Sequence, residues 1–165
     1  MRNFESTSAS ETVEKQAPNY KTSGLLAKEL LTVNNTVLKY QAPNNSCLPK
    51  LKYRFHVFKN DKQVDVLLLY NKASYLFGRD RNIADFPFDH SSISGQHAVI
   101  TYLKKKDKII PYLLDLDSSN GTYVNKEKIQ SQRYFELRAG DVVVFGFSTR
   151  ENVFINEDLD DEYLT

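Results

Sequence analysis

From Leu51 onward the chain is written in two-residue periods broken by turn residues, and this pattern limits its fold more than any other feature. Tyr53, Phe55 and Val57 alternate with Arg54, His56 and Phe58, and Asn60-Asp61 then marks a turn. Such alternation puts one set of side chains on each face of a β-strand. Dense apolar runs follow at 64–70 and 75–77. Runs at 97–103 and 109–116 flank the charged turn Lys104-Lys105-Lys106-Asp107-Lys108 and predict a hairpin. Segments 122–124, 135–137, 142–145 and 153–155 continue the series, separated by a Lys126-Glu127 turn and by Arg138-Ala139-Gly140-Asp141. Short strands at near-regular spacing, without a long amphipathic helix, predict an all-β sandwich.

The first fifty residues read differently. Residues 1–22 are rich in Ser, Thr, Glu, Lys and Asn, with too few large apolar groups to offset ordering entropy, and are expected to be disordered. A short apolar burst holds Leu25, Leu26, Leu30 and Leu31, a second patch holds Val37, Leu38 and Tyr40, and Pro43, Asn44, Asn45 and Pro49 form a linker. These side chains are too few for a core of their own but suit a peptide that folds into a partner's groove; packing of 25–31 as a helix on the sandwich is the alternative. The expected organisation is a tail over 1–50 with a partner-binding segment at about 20–43, a sandwich over 51–156, and an acidic end over 157–165.

A net charge of +1 argues against bulk polyanion binding, so any contact with RNA is expected to be mainly indirect. Cys47 is the lone cysteine, and with only His56, His90 and His97 beside it no metal-ligand spacing arises; no metal or cofactor is expected. No stretch approaches the roughly 20 apolar residues of a membrane span. The expectation is a soluble protein of a reducing compartment, without membrane contact.

Three polar clusters interrupt the strand-like runs: Gly78-Arg79, Ser94-Gly95-Gln96-His97, and Ser118-Ser119-Asn120-Gly121-Thr122-Tyr123-Val124-Asn125. Arg79 can offer a forked guanidinium to a dianion, Ser94 a hydroxyl with neighbouring N–H groups, and Asn120 a carboxamide to a peptide main chain. Taken singly each has a plain reading. An Arg after a strand is usually solvated, Asn-Gly is a turn signal, and His97 is a hydrogen-bonded loop brace. A serine hydrolase would use Ser94, His97 and Asp115 or Asp117, but the Gly-x-Ser-x-Gly pattern is absent.

In order and residue type the three clusters resemble the forkhead-associated (FHA) domain, a non-enzymatic sandwich that binds phosphothreonine peptides. The resemblance implies that Arg79 and Ser94 contact the phosphate, Ser119 adds a hydroxyl, Asn120 holds the peptide backbone, and Gly78, His97 and Gly121 support the loops. Gly95 stands where many FHA domains carry a basic or amide side chain at the phosphate, a loss worth roughly 1.5 to 3 kcal/mol. Arg81 or Lys104-Lys105-Lys106 are candidates to compensate.

The stretches 75–85, 94–99, 115–122, 132–137 and 145–151 are similar to one subgroup, the FHA-domain subunits of the pre-mRNA retention and splicing complex. These are called pre-mRNA leakage proteins in yeasts and Smad nuclear-interacting proteins in animals. Tyr20-Lys21-Thr22-Ser23-Gly24-Leu25-Leu26 and Leu38-Lys39-Tyr40-Gln41-Ala42-Pro43 resemble the segment with which that subunit docks on its RNA-recognition-motif partner. The resemblance implies a nuclear splicing adaptor that binds this partner, other proteins of the complex and a phosphorylated splicing factor. An FHA module of another nuclear signalling pathway is the alternative.

Overall fold

The structure is a computed structural model that describes Thr32, Val33 and residues 35–158. The segment expected to be disordered, the residues Leu25 and Leu26 and the acidic positions 159–165 lie outside the described residues. The chain divides into two compact units, Met1–Leu38 and Lys39–Thr165. In the first, β1 (Thr32–Val33) pairs antiparallel with β2 (Thr36–Val37) around Asn35, which has φ 66°.

The second unit is the sandwich. Its alternating segment becomes β3 (Tyr53–Lys59), with Phe55 and Val57 buried, joined to β4 (Lys62–Leu68) through Asn60 and Asp61. Both turn residues have positive φ, 53° and 64°, the geometry that matches the right-handed twist of the flanking strands. Then follow β5 (Ser74–Gly78), β6 (Phe86–Pro87), β7 (Ala98–Lys105) and β8 (Lys108–Asp115). The last five are β9 (Thr122–Val124), β10 (Glu127–Lys128), β11 (Tyr134–Glu136), β12 (Val142–Phe145) and β13 (Glu151–Asn156).

One sheet has six strands in the order β10-β9-β12-β13-β3-β4, and the other five in the order β11-β8-β7-β5-β6. The hairpin expected around the lysine run is β7–β8, whose turn narrows to Lys106-Asp107. The turn read at Lys126-Glu127 lies one residue earlier, at Asn125-Lys126, because Asn125 and Lys126 adopt φ 52° and 72° and Glu127 pairs with Val124. The short β6, parallel to β5, was not signalled by any alternation.

The core between the sheets is aromatic. Phe55, Phe77, Tyr102, Phe145 and Phe154 are fully buried, and Phe77 stacks on Phe145 with centroids 5.2 Å apart. Burying one large apolar side chain stabilises the fold by about 1.5–3 kcal/mol, so this cluster dominates the stability of the scaffold.

Strand register explains where the polar clusters go. Phe77 pairs with Ala98, and Ala98 pairs with Asp115, so the end of β5, the start of β7 and the end of β8 form one row. The loops 79–97 and 116–121 therefore leave the sheet from the same edge. The lysine turn sits at the far end of β7, about 23 Å away at 3.3 Å per residue.

Candidate functional site

Two backbone hydrogen bonds place Arg79 beside Ser94. The Arg79 N–H donates to the Ser94 carbonyl (2.9 Å), and the Asp80 N–H to the Gly95 carbonyl (3.2 Å). That approach is possible only because residue 78 is glycine: a Cβ on Gly78 would lie 2.0 Å from the Gly95 carbonyl oxygen. Farther along the loop, the Ile83 and Ala84 N–H groups donate to the Asp80 carbonyl. The Leu76 N–H donates to Asp85 Oδ2 (2.7 Å), and Lys72 pairs with the same carboxylate. The loop is thus held at both ends while Arg79 stays exposed, and among the described residues its guanidinium has no hydrogen-bond or ion-pair partner.

His97 is fully buried and ties this loop to the next one. The Ser94 N–H donates to Nδ1 (3.0 Å), so Nδ1 carries no proton, and Nε2–H donates to the Gly121 carbonyl (2.9 Å). Burial pushes the imidazole below its ordinary value of 6.5, opposed by the bond to Gly121 and by the charge of Asp115. His97 is therefore neutral and bridges the two loops. This geometry does not assemble a Ser-His-Asp triad. Nδ1 takes the Ser94 amide, not its hydroxyl, and Asp115 engages other partners.

Those partners form the second loop. Asp115 Oδ1 accepts from the hydroxyls of Ser118 (2.6 Å) and Thr122 (2.7 Å), and Oδ2 accepts from the Ser118 N–H (3.1 Å). The Gly121 N–H donates to Ser118 Oγ (3.0 Å), closing a compact turn in which Gly121 has φ 83°. The turn projects Ser119 outward, and the Ser119 N–H donates to Ser94 Oγ (3.1 Å). With its oxygen so engaged, Ser94 has its own O–H proton to donate outward.

The rim thus joins the predicted residues. Arg79, Ser94 and Ser119 are linked by direct bonds, and Asn120 Nδ2 donates to the Ser92 carbonyl (2.9 Å), two residues before Ser94. Asn120 keeps its second N–H and its Oδ1. Among the described residues the Gly95 N–H and the Ser119 hydroxyl are also uncommitted. Gly95 leaves room at its Cβ position, where the nearest atom is Asp80 Cβ at 3.8 Å. The lysines 104–106 lie at the opposite end of β7, too far to compensate for it, and Lys105 Nζ stands 5.0 Å over the Tyr112 ring. Arg81 instead lines a separate cleft.

Sequence reasoning missed Ser92. Its Oγ lies 2.7 Å from His90 Nδ1 and accepts from the Phe147 N–H (2.8 Å), while its carbonyl holds Asn120. No local pattern marks such a residue, since its partners are remote in sequence. Of the expected partner-binding residues, Leu38 ends the first unit and Lys39 and Tyr40 begin the second. The Lys39 N–H donates to Gln96 Oε1 (2.8 Å). Tyr40 is half-buried against Val99, Leu114 and Leu116, its hydroxyl 3.1 Å from that of Tyr134, and burial pushes its phenol pKa well up.

The sequence profile of the FHA domain matches residues 75–146, which span the whole rim. Smad nuclear-interacting protein 1 of Mus musculus is 41% identical over 88% of this chain, and the chain spans 40% of that relative's length. Pre-mRNA leakage protein 1 of Saccharomyces cerevisiae is 29% identical over 84% of this chain and 85% of its own. Among solved structures, the yeast Pml1 splicing factor, described with its integration into the RES complex, matches with a TM-score of 0.67 at 27% identity, covering 73% of this chain and 98% of that one. Residues 75–146 are therefore an FHA domain, in a chain homologous to Smad nuclear-interacting protein 1 and to yeast pre-mRNA leakage protein 1.

Proposed function

We propose that this chain is a non-enzymatic adaptor of nuclear pre-mRNA splicing that reads a phosphothreonine peptide at the Arg79–Ser94–Asn120 rim. The observation that carries this reading is the set of outward, uncommitted donors: the Arg79 guanidinium, the Ser94 and Ser119 hydroxyls and the Gly95 N–H. A phosphothreonine brings close to two negative charges and several acceptor oxygens, and preplaced donors on braced loops match it at little reorganisation cost. Asn120 is placed to hold the peptide main chain beside it.

The segment at about 20–43, with Leu25, Leu26, Leu38, Lys39 and Tyr40, docks on the RNA-recognition-motif subunit of the retention and splicing complex. Similarity to the yeast protein described with the RES complex supports this, as does the apolar character of the segment. RNA is reached mainly through that subunit. The same relatives support a nuclear location.

Pulldown of the intact chain from nuclear extract, before and after phosphatase treatment, tests both contacts. Phosphatase should release the rim's partners and leave the tail's partner bound, and deletion of 20–43 should do the reverse. Retention of every partner under both treatments would refute the proposal.

A further inference from the structure

At the end of the sandwich opposite the rim lies a groove of about 520 Å³. It opens where β3 and β8 begin and where the chain leaves β11 through Leu137-Arg138-Ala139. The length of β8 from Ile109 to Asp115 separates it from the rim, about 20 Å at about 3.3 Å per residue. Leu51, Tyr53, Ile109, Pro111 and Leu137 give it an apolar lining. Leu137 is buried and Leu51 is 40% exposed, so that lining runs from the core to the surface. Main-chain bonds fix the walls: the Leu137 N–H donates to the Pro111 carbonyl (2.9 Å), and the Arg138 N–H to Asp141 Oδ2 (2.9 Å).

The charged groups around this lining are mostly cations. Lys50, Lys108 and Arg138 stand against one carboxylate, Glu136. Among the described residues none of the three cations has a side-chain hydrogen bond or ion pair. Asn156 supplies a second observation. It lines the groove at 5% exposure, its Oδ1 accepts from the Asp158 N–H (3.0 Å), and its Nδ2 has no partner among the described residues. An amide donor so enclosed gains from an acceptor brought in by an occupant.

Converging like charges favour an anionic occupant, and the apolar lining favours one that also buries hydrocarbon. A peptide segment with Leu, Ile or Phe among Asp and Glu residues meets both conditions and brings main-chain carbonyls to Asn156. A polynucleotide meets only the first. Tyr53, the one aromatic residue in the lining, already stacks on Tyr102 and Phe154 with centroids 5.6 and 4.9 Å apart, so a base finds no free ring to lie on. We infer that the Lys50–Lys108–Arg138 groove is a second docking site, taking an unphosphorylated acidic segment of a partner protein whose apolar side chains enter the groove, while the rim stays open to its own ligand. The inference goes beyond the phosphopeptide reading and stands without it.

Fluorescence anisotropy on the full chain tests it, with a degenerate pool of unphosphorylated peptides that alternate Asp or Glu with Leu, Ile or Phe. The pool should bind about tenfold or more tightly than two controls, one with Ser at the apolar positions and one with Lys or Arg at the acidic ones. Lys108→Glu/Arg138→Glu changes two exposed side chains and should abolish the preference at an unchanged melting temperature, whereas Arg79→Ala should keep it. Amide chemical shifts of Leu137 and Asn156 should move on addition of the pool, and those of Gly95 and Ser119 should not. Equal binding of the Ser control would leave only a charged patch and overturn the inference, as would shifts confined to the rim or a preference that survives the charge reversal. A short single-stranded RNA that moves Leu137 and Asn156 while the pool does not would assign the groove to nucleic acid and overturn it. Pool binding that emerges only in Asp160→Asn/Asp161→Asn/Glu162→Gln would assign the groove to the chain's own acidic residues and likewise overturn it.

Discussion

His97 and Gly121 are joined across the rim by a hydrogen bond of 2.9 Å from Nε2–H to the carbonyl, so one buried ring fixes the separation of the two loops. The ring must be neutral to make both of its bonds, because Nδ1 accepts from the Ser94 amide while Nε2–H donates.

The first prediction follows from that ring. Burial holds its pKa below 6.5, so as pH falls the unfolded chain binds this proton before the folded one does. The stabilisation is complete above about pH 6.5 and is lost as pH drops below it, at no more than about 1.4 kcal/mol per pH unit. Urea unfolding from pH 7.5 to 5 should show a smaller slope for His97→Gln than for the wild type. Identical slopes would assign the acid sensitivity to other groups.

Arg79 is exposed and without a side-chain partner among the described residues, so its removal should leave the fold intact. Arg79→Ala should shift the melting temperature little and weaken phosphothreonine-peptide binding by about 1.5–3 kcal/mol, or roughly ten- to a hundredfold by calorimetry. Arg79→Lys should restore only part of it, because an ammonium lacks the planar fork. Unchanged affinity in Arg79→Ala would remove this residue from the site.

Gly78 and Gly95 touch each other but should respond in opposite ways. Gly78→Ala drives a Cβ to 2.0 Å from a backbone oxygen that hydrogen-bonds Asp80, and should cost about 3 kcal/mol or more in denaturant unfolding. At Gly95 the nearest atom to a new Cβ is 3.8 Å away. Gly95→Lys should therefore fold normally and raise phosphothreonine affinity about tenfold, by supplying a second charged donor beside Arg79. No gain would show that position 95 does not face the phosphate.

Asp115 organises the second loop while being 2% exposed, through contacts to both Ser118 and Thr122. Asp115→Ala strands the buried Thr122 hydroxyl and the half-buried Ser118 donors and should destabilise the fold by about 3 kcal/mol, with peptide affinity falling because Ser119 loses its support. Wild-type stability in this variant would contradict the network.

The sequence carried the sandwich because burial on one face writes itself as alternation, seen in Phe55 and Val57. Arg79, Ser94 and Asn120 stood out as polar residues between such runs, and the resemblance to FHA domains marked them as candidates. The short parallel strand Phe86–Pro87 was illegible: two residues cannot show a period, and their pairing with Phe77 and Gly78 is fixed by the loop between them. Ser92 was illegible for a related reason, since its partners Asn120 and Phe147 come from distant parts of the chain. Gly78 was visible as a residue, but its purpose appears only once Gly95 is seen to press against it.

The bond from Lys39 to Gln96 gives the tail a lever on the rim. Gln96 lies two residues from Ser94 and next to His97, so a protein that captures Lys39 and breaks this contact acts on the loop that carries Ser94. Thermodynamic reciprocity then makes the crosstalk symmetric: by whatever factor capture of the tail alters peptide affinity, an engaged peptide alters the tail's affinity for its captor.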